Sequence, residues 1–124
     1  MSVATETVIS VAVQGLAQAL AQEPNFVAFE ESAQRLRQDV AARQAMEAYQ
    51  KKQAGLQALL MLGAVSPDEQ AELERLREAF LSQETVVAYR QAETALRDLC
   101  RAVGDQLSAR IGLGFAAACS SGCC

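Results

Sequence analysis

The stretch Ser66-Pro67-Asp68-Glu69-Gln70-Ala71-Glu72-Leu73-Glu74-Arg75-Leu76-Arg77-Glu78-Ala79-Phe80 decides the fold class. Ser66 can cap a helix, Pro67 sits at the first helical position where its missing N–H costs nothing, and Glu69 completes a capping box. Behind that start, Leu73, Leu76 and Phe80 recur at spacings of three and four, which is one buried face of a helix.

The same period continues on both sides. Downstream, a helix begins near Glu84 and ends at Gly112 and Gly114, with Val86, Tyr89, Leu96, Leu99, Val103, Leu107 and Ile111 on one side. Upstream, a helix opens at Phe26 and meets no strong stop until Gly63, a length of about 57 Å at 1.5 Å per residue. Its stripe is Phe26, Phe29, Ala33, Leu36 and Val40, then Met46, Tyr49, Leu56 and Leu60. The register slips near Arg43, where alanines alone fill the face. A first helix covers Thr5 to Gln22 on Ile9, Val13, Leu16 and Leu20, and Pro24 and Asn25 punctuate its end. The motif Phe26-Val27-Ala28-Phe29 returns sixty residues later as Val86-Val87-Ala88-Tyr89, which reads as a shared way of starting a helix, with an internal duplication as the alternative.

The expected fold is all-α with four helices. A helix reaching from Phe26 to Gly63 is too long for a compact bundle of 124 residues. Its first half packs with the first and fourth helices as a three-helix bundle; its second half forms a protruding antiparallel arm with the third. Leu56, Leu59 and Leu60 near the tip of that arm leave apolar surface uncovered, which most simply meets another chain. The expected state is a dimer or larger.

Composition agrees with helix and narrows the function. Hydrophobic residues make up 51%, charged residues 21% and aromatic residues only 5%. A net charge of −4, with no basic tract longer than Lys51-Lys52, argues against direct binding of nucleic acid or anionic membranes. With no histidine, a Ser-His-Asp triad, a Cys-His pair and an imidazole metal site are excluded. The carboxylates are too scattered for an acid/base dyad, so no enzyme is expected. No segment reads as a membrane span, and the N-terminus has no positive region of a signal peptide. The expected compartment is the cytoplasm, with reduced thiols.

Residues 1–112 are expected to be the helical domain and 113–124 a flexible tail rich in cysteine. Cys100 lies on the stripe of the last helix and reads as a packed, inert thiol. Cys119, Cys123 and Cys124 fall in the terminal CSSGCC, a spacing of soft ligands that suits an iron–sulfur cluster or zinc. Three thiolates leave a fourth position to another subunit or partner. An oxidation-prone tail without metal remains the other reading. Asp39 reads as a solvated helix residue pairing with Arg35 and Arg43, with a buried hydrogen-bonding role or a partner contact as the alternatives.

The register Phe29, Ala33, Leu36, Asp39, Ala42, Met46, Tyr49, Gln53, Leu56 and Gly63 resembles the YlbF/YmcA family of small helical bacterial regulators. So does the run Val87-Ala88-Tyr89, Ala92-Glu93, Leu96, Val103, Leu107 and Ile111, and the likeness covers about residues 8 to 112. The resemblance implies a non-enzymatic regulatory or adaptor subunit. Members of the YlbF and YmcA type assemble with each other and with a YaaT-type partner. The assembly carries iron–sulfur clusters and steers a membrane-associated endoribonuclease toward particular transcripts, which affects competence, sporulation and biofilm formation. By that resemblance Cys119, Cys123 and Cys124 would share a 4Fe-4S cluster with partner subunits. The alternative is a stand-alone thiol redox or metal-binding protein with the tail as its active element.

Overall fold

The computed structural model describes residues 2–112 and 114. The described residues form five helices and no strand: α1 (Val3–Ala21), α2 (Pro24–Gln38), α3 (Val40–Met61), α4 (Pro67–Leu81) and α5 (Glu84–Ile111). The all-α expectation holds, and the helix count is corrected from four to five. The expected continuous helix from Phe26 to Gly63 is broken at Asp39.

The break has a local and a distant cause. Asp39 leaves the helical region (φ −84°, ψ 103°), and its Oδ1 accepts the Ala42 N–H at 3.0 Å, so it caps α3. Ending α2 leaves carbonyls without helical partners. One of them, at Arg37, accepts a hydrogen bond from Arg43 Nη2. The distant cause is Thr85 at the start of α5, whose hydroxyl donates to Asp39 Oδ2 at 2.6 Å.

The other ends follow their sequence signals more closely. Ser2 caps α1 by accepting the Thr5 N–H, so that helix starts two residues earlier than expected. Glu23 Oε2 accepts the N–H groups of Asn25 at 2.7 Å and Phe26 at 3.3 Å, which lets α2 start at Pro24. Ser66 caps α4 as expected, taking the Glu69 N–H at 3.2 Å, with Pro67 inside the first turn. The capping box is only half formed, because the Glu69 carboxylate turns to Lys52 Nζ at 2.7 Å. The repeated motif has a matching structural setting. Each copy follows a two-residue junction, where Val27 and Val87 donate to the carbonyls of Glu23 and Gln83.

The chain divides into two compact units. One comprises residues 30–91 and the other the described residues on either side of it. The buried side chains Ala42, Leu56 and Val86 all belong to the 30–91 unit, where α3 and α4 pack as an antiparallel pair. In the other unit no described residue is buried. Leu20, Phe26, Phe29, Leu96, Leu99 and Val103 are half-buried, so the expected three-helix bundle has no closed interior there.

Helix α1 has no unbroken run of apolar residues, as expected, yet its average is apolar. At 19 residues and a mean hydropathy of 1.3, it is long and apolar enough to cross a membrane by length and composition. Thr5, Glu6, Thr7, Ser10, Gln14 and Gln18 interrupt the run of apolar letters without lowering the average below that level.

Candidate functional site

The turn joining α3 to α4 is built around Gly63, the residue at φ +64°. Ala64 N–H reaches the Leu59 carbonyl at 2.8 Å and Gly63 N–H reaches that of Leu60 at 3.2 Å, the two bonds of a Schellman motif. Ending the helix there displays its last turn. Leu59 and Leu60 are exposed (43% and 38%), and Met61 and Leu62 more so (81% and 78%).

Leu56, expected to be uncovered with Leu59 and Leu60, is instead buried. It lies in the α3–α4 seam near Leu76, Lys52 and Glu69, around a cavity of about 460 Å³. Lys52 and Glu69 close one side of that seam. The Glu69 oxygen facing Lys52 is shielded from solvent and accepts no aligned hydrogen bond, so the contact is an ion pair. On α4, Glu72 and Arg75 pair at 2.6 Å. The Arg75 hydrogen bond holds the Glu72 carboxyl below its ordinary range, and the same bond raises the guanidinium. These surface pairs steady the helix and assemble no reacting centre.

A second feature sits at the α2–α3 break. A groove of about 510 Å³ is lined by Leu36, Arg37, Ala42, Arg43, Met46 and Phe80. Its shape depends on Asp39, which is half-buried and not the solvated residue expected to pair with Arg35 and Arg43. Hydrogen bonds from Thr85 first, then from the Ala42 and Ala41 backbone, hold its carboxyl below the usual carboxylate range against the opposing effect of burial. No sequence signal named this groove; the slip of register near Arg43 was its trace.

The cluster ligands proposed for the tail, Cys119, Cys123 and Cys124, lie outside the described residues. Among the described residues, no group of three or more His, Cys, Asp or Glu side chains is placed to hold a metal ion. Cys100 is exposed, which corrects the packed-thiol reading: the covering at this end of α5 reaches Leu96, Leu99 and Val103 and stops short of it.

No curated protein and no solved structure matches the chain. One family model does, that of the control of competence regulator ComK, YlbF/YmcA, over residues 9–112. The match runs through all five helices, short only of the first turns of α1, and the chain belongs to this YlbF/YmcA family of regulators.

Proposed function

We propose that the chain is a non-enzymatic regulatory subunit of a cytoplasmic multiprotein assembly that directs RNA processing by an endoribonuclease. The observation that carries this reading is the uncovered turn of α3, where Leu59, Leu60, Met61 and Leu62 present apolar surface at a rigid helix end. A family of regulators is the setting in which such a surface serves partner proteins. Self-association and partners of the YmcA and YaaT type belong to the same reading. So do effects on competence, sporulation and biofilm formation.

The tail extends the proposal. Cys119, Cys123 and Cys124 would supply three thiolates to an iron–sulfur cluster of the 4Fe-4S type, completed by a partner. When bound, such a cluster would tie chains together and make the assembly sensitive to oxidants.

Affinity isolation from the native cell without oxygen tests both parts. The expected result is co-purifying protein partners, an endoribonuclease among them, with iron and sulfide in the assembly and little on the chain alone. Leu59→Glu with Leu60→Glu should release the partners, and Cys123→Ser should lower the iron. A chain recovered alone, with its tail thiols freely alkylated and no iron, overturns the reading. Iron held by the isolated chain would favour the stand-alone metal-binding protein instead.

A further inference from the structure

The groove at the α2–α3 break and the uncovered helix α1 carry complementary chemistry. The groove has an apolar floor of Leu36, Ala42, Met46 and Phe80, with Arg37 and Arg43 as its charged groups. Among the described residues neither guanidinium has a carboxylate partner. Lys52, Arg75, Arg77 and Arg97 all have one. Arg37 and Arg43 thus set positive charge beside an apolar floor in a chain of net charge −4.

The helix α1 has the opposite character. Its one charged residue is Glu6, which has no ion-pair partner among the described residues. Ile9, Val13 and Leu16 follow at three, seven and ten residues, on the same face as Glu6, and all three are exposed. Nothing in α1 is buried. Residues 22–34, which follow the helix, contain no Lys or Arg of the kind that flanks a membrane segment.

We propose that α1 of one copy seats in the groove of a second copy, with its Glu6 carboxylate meeting the Arg37 and Arg43 guanidinium groups. The exchange is reciprocal, as a closed two-fold requires. Ile9, Val13 and Leu16 then cover Leu36, Met46 and Phe80, and one apolar helix and one apolar groove leave water together. The proposal rests on the self-association in the reading above and names its surface.

Sedimentation of the full chain tests it through charge reversal. Arg43 serves the end of α2, so Arg37 is the residue to change. Arg37→Glu and Glu6→Arg should each weaken the dimer by about tenfold or more, because like charges then face each other in the contact. Glu6→Arg also loses a favourable charge in the first turn of α1, and the combined variant separates that effect from the contact. Glu6→Arg with Arg37→Glu in one chain should restore the dimer to within about threefold, and the two single variants mixed should form a heterodimer.

A dimer indifferent to both reversals but broken by Leu60→Glu overturns the α1 assignment while leaving self-association standing. A wild-type monomer at tens of micromolar overturns both. Wild-type chain that floats with phosphatidylcholine vesicles and does not dimerise assigns α1 to a bilayer and likewise overturns the proposal.

Discussion

Asp39 shows how one residue turns a helix into two. Its carboxylate is held by Thr85 and by backbone N–H groups that it meets only in the folded chain. Its carboxyl therefore titrates below the ordinary value of 3.8. A lowered carboxyl contributes stability above the unfolded value and loses it as pH falls through the folded one. The wild-type melting temperature should therefore fall more steeply below about pH 4 than that of Asp39→Asn, as followed by circular dichroism. Parallel curves would mean that the carboxylate takes no part in holding the break. Thr85→Val keeps the shape of the side chain and removes the donor, and should cost about 1 kcal/mol at neutral pH. The residue was visible in the sequence as a polar group in an apolar register. Its role was not, because the hydroxyl that fixes it lies 46 residues away.

At the scale of elements, the α3–α4 pair holds most of what is buried. Leu56→Ala should destabilise the chain by about 2–5 kcal/mol, since it opens a space under a side chain that α4 covers. Leu96→Ala, on a half-buried face of α5, should cost less, and Glu74→Ala should leave the melting temperature nearly unchanged. Equal shifts from Leu56→Ala and Leu96→Ala in thermal unfolding would contradict the placement of the core. Gly63→Ala tests the turn alone. A methyl there would meet nothing within 4 Å, so the whole penalty is the positive φ, about 1 kcal/mol. Helix starts and stops at Ser66, Pro67, Gly63 and Gly112 were legible because caps are local chemistry.

At the scale of the whole molecule, the buried side chains lie within residues 30–91, so the chain's stability should be insensitive to its end. Deleting residues 113–124 should leave helicity and melting temperature almost unchanged, while alkylation of Cys100 proceeds in the native state as its exposure requires. A large loss of melting temperature on deletion, or a protected Cys100, would place packing where none is described. The amino-acid sequence by itself determined the helical class, most helix ends and the family register, because period and capping are properties of neighbours along the chain. Only tertiary structure decided that Asp39 ends a helix, that Leu56 is covered while Leu59 and Leu60 are not, and that Cys100 faces solvent. Each of those depends on what a distant helix lays against the residue: α5 supplies the hydroxyl for Asp39, and α4 supplies the cover for Leu56. A single helix carries the same pattern whether or not its neighbour arrives.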